Sequence, residues 1–130
     1  MKQPTLLCVD DDPGTRGFYE TLFGRYGYGV IVASSGHQAL ELFHAKASDI
    51  DAVISDYHMP GMNGAELAAV LKRCDPTLPV IIITGRQPVP EQTPGCVDVA
   101  LAKGEPVERI LGHIRACLAQ RDLQGPMSEL

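Results

Sequence analysis

The run Val80-Ile81-Ile82-Ile83 carries four β-branched side chains in succession and is closed by Thr84-Gly85. Branching at Cβ favours extended backbone, and the absence of polar alternation means that both faces of the strand must be covered. A strand buried on both faces belongs in the middle of a parallel sheet with helices on either side. The rest of the chain therefore has to supply further short strands and the helices that connect them.

It does so in order. Thr5 to Val9 is an apolar strand that runs into Asp10-Asp11-Asp12 before Pro13-Gly14 breaks it. Phe18, Leu22 and Tyr26, spaced by four, predict the inward face of a helix from about Thr15 to Arg25, stopped by Gly27 and Gly29. Tyr28 to Ala33 reads as a second strand, and Ser34-Ser35-Gly36 caps a helix with Ala39, Leu40 and Phe43 inward. A third strand, Asp51 to Asp56, meets the turn-forming stretch Tyr57 to Gly64, in which Asn63 can cap a helix from Ala65 to Cys74. Leu67, Val70, Leu71 and Cys74 form the expected core stripe of that helix, which Asp75-Pro76 ends.

After the central strand, Arg86 to Gly95 contains Pro88, Pro90 and Pro94, so a helix of normal length is excluded and a loop or single turn is expected. Val97 to Ala102 is a fifth strand, ended by Lys103-Gly104. A last helix opens at Glu105-Pro106 and buries Val107, Ile110, Leu111, Ile114 and Leu118. One domain over residues 1–121, with a flexible tail over 122–130, is the expected organisation.

Five strands alternating with helices through short connections give an α/β, flavodoxin-like doubly wound five-stranded parallel sheet. Its order is 2-1-3-4-5, with a shortened or irregular fourth helix. The switch point then falls between the first and third strands. Asp10, Asp11 and Asp56 converge there in one crevice, Thr84 ends beside it, and the side chain of Lys103 is long enough to reach back.

Charge narrows the partners. The net charge is −5, and the 11 lysines and arginines are scattered, which argues against a nucleic-acid partner. No leader segment or apolar run long enough for a bilayer is present, so a cytoplasmic protein without a membrane partner is expected. Cys8, Cys74, Cys96 and Cys117 form no Cys-x-x-Cys pair and read as buried free thiols. His37, His44, His58 and His113 show no metal-ligand spacing.

Two carboxylates about 4 Å apart repel by about 4 kcal/mol at an effective dielectric of about 20, so three in one crevice call for a cation. An all-oxygen site open to water suits magnesium, whereas an EF-hand loop would need glycine where Thr15 stands. With its charge screened, one carboxylate can attack phosphorus and become an aspartyl phosphate, its oxygens held by Lys103 and Thr84.

This constellation resembles the receiver domain of two-component response regulators, over roughly Thr5 to Gln120. Val9-Asp10-Asp11 is similar to the family's paired acids, and Ile54-Ser55-Asp56 with Met59-Pro60-Gly61-Met62-Asn63-Gly64 to its phosphoacceptor loop. Ile83-Thr84-Gly85 and Lys103 match its switch hydroxyl and lysine. The resemblance implies a CheY-like, single-domain phosphoacceptor with no output domain in this chain. By it, Asp56 takes a phosphoryl group from a histidine kinase or histidine phosphotransfer protein and later loses it to water. It implies Mg2+ held by Asp10, Asp11, Asp56 and the backbone carbonyl of His58, and it places the His58 and Arg86 side chains where they tune dephosphorylation. The downstream protein is unspecified, and no enzymatic turnover is expected beyond slow self-catalysed transfer and dephosphorylation.

Three departures fall on the face that such domains use for output: Gly104 in place of proline, Ala100 in place of an aromatic switch residue, and the proline-rich Arg86 to Gly95 segment. Two rival readings remain. Asp10-x-Asp12 before Gly14-Thr15 echoes the nucleophile loop of haloacid dehalogenase phosphatases, although no second acidic pair follows Lys103. The other rival is a receiver that never carries phosphate and acts as a scaffold.

Overall fold

The computed structural model describes residues 3–85 and 96–124. Five strands, β1 (Thr5–Val9), β2 (Gly29–Ala33), β3 (Ala52–Ser55), β4 (Val80–Thr84) and β5 (Val99–Ala102), form one parallel sheet in the order β2-β1-β3-β4-β5. The helices are α1 (Pro13–Arg25), α2 (Gly36–Lys46), α3 (Gly64–Cys74) and α4 (Val107–Gln124), with a single 3-10 turn at Ala47–Asp49. This is the expected doubly wound architecture. The segment expected to stand in for a further helix, residues 86–95, lies outside the described residues, as do residues 125–130 of the expected tail. None of the described helices is long and apolar enough to cross a membrane.

Both faces of the sheet are covered, as the Val80 to Ile83 run requires. On one face Val80 and Ile82 pack with Val53, Leu67 and Leu71, under α2 and α3. On the other, Ile81 and Ile83 pack with Tyr19, Phe23, Ile110 and Ile114, under α1 and α4. Every residue of β4 is buried.

Three expectations are corrected. The inward face of α1 is Tyr19 and Phe23, whose rings stack with centroids 5.4 Å apart, while Phe18 and Tyr26 are exposed and Leu22 is half-buried. Two apolar stripes lie side by side on this helix. The carboxylate of Asp12 caps α1, which starts at Pro13 rather than Thr15. Cys74 is exposed because it is the last residue of α3, where the chain turns away at Asp75; of the four free thiols, only Cys8 is buried, with Cys96 and Cys117 half-buried. Finally, α4 continues to Gln124, past the expected boundary at residue 121.

Candidate functional site

The strand register delivers the acids to one place. Val9 pairs with Ser55 across β1 and β3, so Asp10 and Asp56, the next residue on each strand, emerge side by side. The Asp56 amide donates to the Val9 carbonyl at 2.9 Å, and the Asp10 amide to the Ala33 carbonyl at 3.1 Å. On the far side Thr84 pairs with Ala102, and the Lys103 amide donates to the Thr84 carbonyl at 3.0 Å. All of this lies at the carboxyl edge of the sheet, at the switch point between β1 and β3, where doubly wound folds bind ligands.

One carboxylate oxygen from each of Asp10, Asp11 and Asp56 lies within 4.8 Å of the others. Lys103 Nζ is 3.1 Å from Asp10 Oδ2 and 3.7 Å from Asp56 Oδ2. Burial is graded across the cluster. Asp10 is almost wholly buried, Asp56 is half-buried and Asp11 is exposed. Desolvation pushes the Asp10 carboxyl up from its ordinary value, against the opposing pull of the Asp12 N–H and of Lys103, and the Asp56 charge adds to the rise.

The donor set fits a hard divalent cation. All the side-chain donors are oxygens, two of the three carboxylates are reachable from solvent, and Asp56 Oδ1 is buried without a hydrogen-bond partner among the described residues. A buried carboxylate oxygen left unpaired is costly unless a cation satisfies it.

The loop after Asp56 is held by its own chemistry. Asn63 Oδ1 accepts from the Glu66 amide at 2.8 Å, and Glu66 Oε1 accepts from the Asn63 amide at 3.0 Å, a reciprocal cap that starts α3. The Gly64 amide donates to the Tyr57 carbonyl at 2.9 Å. A Cβ on Gly64 would collide with the Asp56 carbonyl oxygen and approach Ile82 Cδ1 to 2.8 Å, so only glycine lets α3 begin this close to the strand end. His58 is half-buried, with its ring 4.8 Å from that of Tyr57 in an edge-on arrangement, and it lines a recess of about 360 Å3 together with Asp11 and Asn63.

Of the residues singled out from sequence, Asp10, Asp11, Asp56, Thr84 and Lys103 come together, with His58 on the rim. Arg86 lies outside the described residues. The Asp12 carboxylate caps α1, accepting from the Thr15 amide and hydroxyl, both at 2.8 Å, and its acidity is increased by those bonds. Two neighbours were not anticipated. Ser55, buried in an otherwise apolar strand, donates its hydroxyl to the Asp56 carbonyl at 2.8 Å. Arg16, one turn into α1, donates Nη1 to the Asp10 carbonyl at 2.7 Å. A polar residue inside a buried strand was a readable signal for the first; nothing local marked the second.

A doubly wound sheet with three carboxylates and a lysine at its switch point defines a class of small α/β domain with a charged cluster at that edge. The model of the response regulator receiver domain matches residues 6–101. The chain belongs to that family, and its described residues form a receiver domain of two-component signalling. It is 37% identical over 90 residues to the transcriptional regulatory protein GlrR of Escherichia coli (strain K12), covering 69% of this chain and 20% of that protein. It is 35% identical over 117 residues to the response regulator MprA of Mycolicibacterium vanbaalenii, covering 87% of this chain and 49% of that protein. The chain thus spans between a fifth and about half of these relatives' lengths. In fold it is similar to a CheY-like receiver domain protein from Methanospirillum hungatei JF-1, with a TM-score of 0.86 at 20% identity over 95% of this chain and 99% of that one.

Proposed function

We propose that this chain takes a phosphoryl group onto Asp56 from a histidine kinase or histidine phosphotransfer protein, and signals by altered binding to a downstream protein. The observation that carries the reading is the ammonium of Lys103 set between Asp10 and Asp56, at 3.1 and 3.7 Å, over a cluster of three carboxylates. An Asp56 carboxylate oxygen forms the bond to phosphorus as the phosphorus–nitrogen bond of a phosphohistidine breaks, and the imidazole leaves with the electron pair. Lys103 and the Thr84 hydroxyl donate to the phosphoryl oxygens. Water later cleaves the acyl phosphate, at a rate tuned by the side chains of His58 and Arg86. The chain is thus a phosphoacceptor rather than an enzyme with a turned-over substrate.

Asp10, Asp11, Asp56 and the His58 backbone carbonyl are the groups that would hold Mg2+. When bound, the ion neutralises the charge shared by the carboxylates and the incoming phosphoryl oxygens. The reading includes a cytoplasmic location and neither a nucleic-acid nor a membrane partner. Beryllium fluoride, a phosphoryl mimic, tests it: fluorine NMR with magnesium should show a bound signal in the wild type and none in Asp56→Asn. A wild type that gives no bound signal would contradict the reading.

A further inference from the structure

We infer that Arg16 is a positioning residue for the cation site: it sets the β1–α1 turn and, through it, the placement of the Asp11 carboxylate. The inference rests on the metal reading above and deepens it. Asp10 is tied through its amide to Ala33, through Oδ1 to the Asp12 amide at 2.9 Å, and through Oδ2 to Lys103. Its carbonyl, the group that begins the peptide leading into Asp11, is held by Arg16 Nη1 at 2.7 Å. Asp11 is exposed, so the backbone on either side of it decides where its carboxylate points.

A guanidinium suits this task for three reasons. It is always charged, so its hydrogen bond to a neutral carbonyl is charge-assisted; it is planar, so the direction of that bond is fixed; and it brings positive charge to a turn that carries three consecutive acids. Arg16 is half-buried on α1, whose first turn is independently capped by Asp12. Replacing it with alanine therefore leaves the helix its cap and its propensity. What is lost is the tie from helix to turn.

The test compares wild type, Arg16→Ala and Arg16→Lys in two measurements. Magnesium affinity is titrated by calorimetry, and amide exchange at Asp12 and Thr15 is followed without metal. Loss of a group that orients a metal ligand typically weakens metal binding about 10- to 100-fold. Arg16→Ala should raise the magnesium Kd at least about tenfold and speed exchange at both amides, with the thermal midpoint of the metal-free protein little changed. Arg16→Lys, which keeps the charge and a donor, should recover part of the affinity. An Arg16→Ala Kd within about twofold of wild type overturns the inference, since a group that orients a ligand changes affinity by more. If the wild type binds no magnesium, the fault lies with the metal reading; the exchange arm then decides, and unchanged exchange overturns the role of Arg16 in the turn.

Discussion

Lys103 Nζ lies 3.1 Å from Oδ2 of Asp10, a carboxylate that is only 1% exposed. This pairing does not fully offset the burial. Desolvation, reinforced by Asp56, keeps the Asp10 carboxyl above its ordinary pKa despite the Asp12 N–H and Lys103. The folded state then holds this proton more tightly than the unfolded state. The stability that Asp10 contributes therefore falls as pH rises above the unfolded value of about 3.9, and stays low beyond the folded value. Asp10→Asn should stabilise the metal-free protein at pH 7 by about 1 kcal/mol and weaken magnesium binding at least about tenfold. Urea melts at pH 4 and pH 7 check the first effect; a lower midpoint for the variant at pH 7 would count against it.

Asp75 behaves in the opposite sense. Burial raises its carboxyl, but the Thr77 hydroxyl and amide and the Arg121 guanidinium, 3.1 Å away, outweigh that and hold it below its ordinary value. Its contribution is present above the unfolded pKa and is lost as pH falls through the folded one. Asp75→Asn should cost about 1 kcal/mol at pH 7 and progressively less below pH 4. Equal losses at pH 7 and pH 3 would show that the charge is not what matters.

Gly64→Ala places a methyl group against the Asp56 carbonyl and Ile82. Forcing a side chain into a packed site costs about 1–3 kcal/mol. Here the carbonyl that must yield belongs to Asp56, the residue proposed to take the phosphoryl group, so phosphoryl labelling should slow as well. Denaturant melts and labelling rates together check this. A stable variant that labels at the wild-type rate would mean that α3 can move aside freely.

His58 lies on the rim with its ring against Tyr57. Its substitution by alanine should change the half-life of the aspartyl phosphate by at least about threefold, a difference of under 1 kcal/mol in barrier. The decay of phosphoprotein after removal of the donor, followed by mass, gives the answer. An unchanged half-life would reduce His58 to a rim residue.

The sheet order and the convergence of Asp10, Asp11, Asp56, Thr84 and Lys103 were readable because strand ends are marked by abrupt changes from aliphatic to polar or turn-forming residues. Once the order of the strands is known, their ends fall at one edge. The orientation of α1 was not readable: Phe18 and Tyr19 begin competing stripes with the same spacing, and spacing alone does not choose between them. Arg16 was equally hidden, because its partner is a backbone carbonyl, which leaves no mark on the sequence. Cys74 fitted the periodicity of α3, but periodicity does not say where a helix overhangs the sheet.

Asp56 is proposed to be a magnesium-dependent phosphoacceptor. Intact mass after incubation with acetyl phosphate tests it most directly, with magnesium, with magnesium removed by chelation, and beside Asp56→Asn. The wild type should carry a single phosphoryl adduct that disappears with chelation and in the variant. An adduct that persists in Asp56→Asn, or a wild type that remains unlabelled with magnesium present, would contradict it.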